Sequence, residues 1–113
     1  MVTLDALIDK YGVPSFCKID VEGYEPEVLA GLSHAVQALS VEFVAGDLDG
    51  ASVCVDRIRD LGDYRFNVVL GEMRDFAFET WEPAERLLSW LEAGAGGASS
   101  GDIYARLEGP QDA

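Results

Sequence analysis

Histidine and cysteine are scarce in this chain, with one His and two Cys in 113 residues. Cys17 and Cys54 cannot build a disulfide framework, and together with His34 they supply a Cys/His zinc site poorly. Both cysteines sit inside apolar patterns, where a free thiol packs as a small hydrophobe. Positive charge is also short: 8 Lys and Arg stand against 21 Asp and Glu, a formal net charge of −13. A surface of that sign repels phosphate backbones and anionic lipid, which removes nucleic-acid and membrane-surface roles. Apolar runs last only a few residues, far short of the ~20 that span a bilayer. The first ten residues hold neither a basic start nor an apolar stretch, the two parts of a secretory leader, so a cytoplasmic protein is expected.

What is present is an ordinary globular mixture, 49% hydrophobic and 26% charged. Residues 1–113 are expected to form one domain with a real core. Helical and strand patterns alternate, which points to an α/β layer architecture. Thr3 can cap a short helix with Leu4, Leu7, Ile8 and Tyr11 on one face, stopped by Gly12 and Pro14. Ser15–Asp20 reads as a strand apolar on both faces, as in a buried parallel sheet. Gly23 makes a turn, Pro26 suits a first helical turn, and Val28, Leu29, Leu32 and Val36 give that helix an apolar face. Ala38–Val44 is the next strand, with Leu39, Val41 and Phe43 on one side. Asp49 or Ser52 can cap the helix that carries Cys54, Val55, Ile58 and Leu61, and Gly62 closes it. Tyr64–Leu70 is a third strand, rich in aromatic and β-branched residues. Phe76–Glu82 has no clear pattern, and Pro83–Glu92 reads as a short helix with Leu87, Leu88 and Leu91 inward. Residues 93–101 form a Gly/Ala/Ser loop expected to be mobile, 102–107 a last strand, and 108–113 a frayed tail.

The most informative run is Lys18-Ile-Asp-Val-Glu-Gly-Tyr-Glu25. It puts Asp20, Glu22 and Glu25 at the carboxyl end of a parallel strand and in the turn after it, where ligands of open α/β sheets bind. Glu42 interrupts the apolar run of the next strand. Were the two strands neighbours, Asp20, Glu22 and Glu42 could converge on one crevice. Clustered, desolvated carboxylates make a general base or an acceptor that orients a substrate hydroxyl. Three oxygen donors also suit a hard cation such as magnesium. Glu25 and Glu27 are better explained by the positive end of a helix dipole, whereas Asp20 and Glu22 favour function. Glu42 divides evenly between function and the solvated end of its strand.

Thr3-Leu-Asp-Ala-Leu-Ile, Lys18-Ile-Asp-Val-Glu-Gly-Tyr-Glu and Glu27-Val-Leu-Ala-Gly-Leu together resemble the FkbM-type methyltransferase family. Val41-Glu-Phe43 and Gly101-Asp-Ile-Tyr-Ala105 fit the same pattern. The likeness runs from Thr3 to about Leu107. It implies a Rossmann-like class I methyltransferase fold, with S-adenosylmethionine as cofactor and a small-molecule hydroxyl as acceptor. It further implies that the chain is the carboxyl-terminal half of such a domain: a mainly parallel sheet whose last strand is inserted antiparallel between the strands at Ala38 and Tyr64. On this resemblance Asp20 and Glu22 face the cofactor methyl group and substrate, and Glu42 is the corresponding acid of the next strand. The Gly-rich turn and ribose-holding acid of the family's first half have no counterpart here. The chain alone is therefore expected to be inactive, and its Ser15–Asp20 strand to be an edge open to self-association or to a complementing chain.

A second class of function remains: a non-catalytic α/β module that binds or assembles through that open edge. The other notable residues have plainer readings. His34 suits a helix carboxyl end, and Trp81 and Trp90 suit core or lid packing. Arg57 and Arg59 with Asp56 and Asp60 suit a solvated face, and Lys18 suits pairing with a strand-end acid.

Overall fold

A computed structural model of the chain describes residues 16–19, 29, 31, 36–71 and 75–108. Four strands form one mixed sheet: β1 Phe16–Ile19, β2 Ala38–Val44, β3 Tyr64–Leu70 and β4 Ser100–Leu107. Their spatial order is β1-β2-β4-β3. β1 runs parallel to β2, with Phe16 opposite Ala38 and Ile19 opposite Val41. β4 is antiparallel to both of its neighbours, β2 and β3, as expected of the last strand. Two helices, α1 Leu48–Leu61 and α2 Ala84–Glu92, complete the regular elements of a small α/β fold. No helix among the described residues is long and apolar enough to cross a membrane.

The alternation of strand residues decides which face carries the core. Leu39, Val41 and Phe43 on β2, Phe66 and Val68 on β3, and Ile103 and Ala105 on β4 are buried toward the helices. α1 presents Cys54, Val55 and Ile58 to them, and α2 presents Leu87 and Leu91. Cys54 is thus the core residue its pattern implied. Leu29 and Val36 join this core, while the rest of the expected second helix lies outside the described residues, as do the Thr3–Tyr11 helix and His34. Gly101 sits where β4 crosses closest to this layer. A Cβ there would come within 2.7 Å of the Val69 carbonyl and 2.8 Å of the Phe43 ring.

Several boundaries depart from the sequence reading. Asp47, rather than Asp49 or Ser52, caps α1: its side chain accepts the Gly50 N–H at 3.1 Å. All three are good capping residues, and only the turn at Ala45–Asp47 decides between them. Gly62 ends α1 in an extended conformation, φ 172°, which needs no glycine. Arg59 pairs with Asp56 on the exposed face at 2.5 Å, but Arg57 is partly buried and donates to the Leu29 carbonyl at 3.2 Å. Lys18 is exposed on the face away from the helices, in register with Ser40.

The segment with no clear pattern, Phe76–Glu82, is a strap along the outer edge of β3. Phe66 and Glu82 exchange both backbone hydrogen bonds, and Ala77 donates to the Val68 carbonyl. Buried Asn67 fastens it: the side-chain oxygen accepts the Phe78 N–H, and the amide nitrogen donates to the Phe78 carbonyl, both at 3.1 Å. The strap folds rings over the face opposite the helices. Phe76 lies 5.1 Å from Trp81 and 5.7 Å from Tyr104, whose ring stacks on Phe16 at 6.5 Å. Arg106 covers Trp81 at 4.5 Å. Trp90 packs edge-on against Phe43 and Phe78, the packing role expected of it.

Tyr64 joins the start of β3 to the rest of the core, its hydroxyl donating to the Val36 carbonyl. Burial pushes this phenol up to about 12 from 10.0. The neutral form is the one the native state accepts, so stability is complete below pH 10 and falls as pH rises from 10 through 12. Each unit of that window is worth about 1.4 kcal/mol. Urea unfolding from about pH 9 to about pH 11 is expected to show a loss of roughly 1 kcal/mol from this group, absent in Tyr64→Phe. Equal slopes in the two proteins would contradict it.

Candidate functional site

The sheet sets Glu42 beside the carboxyl end of β1. β1 and β2 are neighbours, as the convergence of acids required, and their pairing extends to Ile19 opposite Val41. Glu42 is the next residue of β2. It is half-buried, on the face opposite the helices, because Val41 and Phe43 on either side of it point into the core. Glu42 therefore lies within the strand, two residues short of the exposed end at Val44. Asp20 and Glu22 lie outside the described residues.

A further acid was not legible from the sequence. Asp102 of β4 is directly opposite Glu42 in the antiparallel register, on the same face and also partly buried. Such partners have Cβ atoms roughly 4.5–5.5 Å apart, and like charges in that arrangement oppose folding. β4 is paired on both sides, with Asp102 also opposite Val69, so this register cannot slip to separate the carboxylates. Two acids placed opposite each other across a strand pair are a feature that folding alone does not require.

The rim of this end is backbone. The Ala45 N–H, just past β2, donates to the Ser99 carbonyl at 2.9 Å, and the Gly71 N–H donates to the Ser100 carbonyl at 2.9 Å. The ends of β2 and β3 are therefore both tied to the start of β4. Residues 93–101 carry more regular structure than their composition suggested. A short helical turn at Ala95–Gly97 organises them, Ala95 is completely buried, and β4 begins at Ser100. The tail likewise is held at its first residue, where the Glu108 N–H donates to the Asp63 carbonyl.

A four-strand mixed sheet with its last strand inserted antiparallel is consistent with a methyltransferase-like α/β fold. The chain matches the methyltransferase FkbM domain over residues 1–96 and belongs to that family. No curated protein matches it. The family implies S-adenosylmethionine as methyl donor. A Cβ at Gly46 or Gly71 would meet nothing within 4 Å, so neither glycine lines a close-fitting wall at this end. Among the described residues no group of three or more His, Cys, Asp or Glu side chains could hold a metal ion, and nothing there supports magnesium.

The cross-strand acids give a direct expectation for stability. Asp102→Asn removes one charge and leaves the shape, and is expected to stabilise the protein by about 0.2–1 kcal/mol at neutral pH. The gain should shrink in molar salt. Urea unfolding at low and high salt measures both; a destabilised Asp102→Asn would show that this carboxylate has a favourable partner that outweighs Glu42.

Proposed function

We propose that this chain supplies the acceptor-side part of an S-adenosylmethionine-dependent methyltransferase that modifies a hydroxyl group of a small molecule. The observation that supports it most is Glu42, a half-buried carboxylate inside the strand next to β1, in a chain of the FkbM domain family. The cofactor, when bound, supplies an electrophilic methyl group. Asp20, Glu22 and Glu42 act on the acceptor: a carboxylate accepts the hydroxyl proton or a hydrogen bond from it, and so directs the oxygen lone pair. Positioning contributes most of the rate in such a reaction, which suits acids carried on a sheet. The reaction class comes from family membership. In this reading the 113 residues do not turn over by themselves.

A second reading is favoured by a separate observation. β1 is an edge of the sheet formed by the described residues, and Phe16 on it is 48% exposed. An edge strand with an exposed aromatic is a template for another chain. The same surface in a binding module would recruit a second copy or a complementing chain.

One experiment separates the two. The isotope-labelled chain is titrated with S-adenosylhomocysteine while resonance shifts are followed by NMR and mass by light scattering. The first reading expects shifts confined to Glu42, Val44 and their neighbours, weakened several-fold in Glu42→Gln, with no methylated product when the donor and simple hydroxyl acceptors are supplied. Unmoved strand-end resonances with a concentration-dependent dimer would replace it with the binding module. A monomer at all concentrations would remove the second reading.

A further inference from the structure

The turn between α2 and β4 has an unusual backbone. Gly94, Ala95, Gly96 and Gly97 all lie in the left-handed region, with φ of 101°, 54°, 64° and 82°. Three of these positions are glycine, which adopts such angles without steric cost. Ala95 is the exception, and among the described residues it is the one non-glycine at positive φ. Its methyl group is also completely buried in the core that α2 shares with the sheet. A residue that accepts an unfavourable backbone and has its side chain fully enclosed is holding the turn in one place.

What the turn holds is the rim of the candidate site. It closes on α2 through the Gly94 N–H to the Leu91 carbonyl, and on itself through Gly97 to Gly94 and Ala98 to Ala95. Immediately beyond it, the Ser99 carbonyl receives the Ala45 N–H, three residues after Glu42. The turn also lies on the Trp90 indole, where a Cβ at Gly96 would stand 3.5 Å from Nε1. Trp90 in turn packs against Phe43, the residue after Glu42. Two contacts therefore lead from the turn to the same stretch of β2, one by hydrogen bond and one by ring packing.

We propose that Ala95 is a positioning residue for the Glu42 end of β2: its buried methyl seats the 94–99 turn, and the Ser99 carbonyl and Trp90 pass that placement to Ala45 and Phe43. The functional meaning of this rests on the reading of Glu42 as an acid that faces the acceptor. Ala95→Gly tests it, because glycine keeps the left-handed turn at ease and removes only the anchor. Amide hydrogen exchange by NMR is expected to accelerate roughly tenfold or more at Ala45 and Gly71. The Phe66 amide, bonded to the strap, should stay within about twofold. The backbone resonances of Glu42 and Asp102 should shift, a signature that a general loss of stability does not produce. Unchanged exchange at Ala45, or a uniform acceleration that includes Phe66, would overturn the proposal. If S-adenosylhomocysteine leaves Glu42 unmoved in the parent chain, the methyltransferase reading fails while the exchange result still decides the role of Ala95.

Discussion

The insertion of β4 between β2 and β3 is the constraint on which the rest depends. Without it nothing would pair β2 with β3 in this arrangement, and the helices would have a narrower apolar face to cover. With it, Ile103 and Ala105 complete that face between Val41 and Leu39 on one side and Val68 and Phe66 on the other. Gly101 is the local condition for the insertion, because any side chain there would strike Phe43 and the Val69 carbonyl. The same register places Asp102 against Glu42, so the feature that completes the core also creates the acid pair.

Layering follows from this. The described helices lie on one face, and rings from the strap occupy part of the other. Asn67 makes that arrangement possible, since its buried amide satisfies both backbone groups of Phe78 and fixes the strap to β3. Burying an amide is favourable only when its hydrogen bonds are made, and here they are. At the carboxyl end of β2, backbone bonds from Ala45 and Gly71 to β4 form the rim. Rigid strands that end in an open rim are the setting in which α/β proteins place their chemistry.

Much of this was readable from the chain. Ala38–Val44 and Tyr64–Leu70 are strands with the expected bounds, because apolar alternation and β-branched density agree in both. Glu42 stood out as an acid among apolar neighbours, and the antiparallel insertion followed from the family resemblance. Other features depend on contacts that no local pattern carries. Asp102 carries no signal of its own in the sequence, and only its register opposite Glu42 singles it out. Residues 93–101 looked loose because glycine and alanine dominate them, yet one enclosed methyl group fixes the turn. Arg57 looked like part of a solvated face, although its neighbour in space is a carbonyl 28 residues earlier.

The central claim is the position of β4, and cross-strand proton contacts measure it directly. An NMR experiment on the labelled chain should show antiparallel contacts from Asp102 to both Glu42 and Val69, and from Tyr104 to both Ser40 and Asn67. Contacts that join β2 directly to β3, with β4 at an edge, would contradict the fold and the acid pair together.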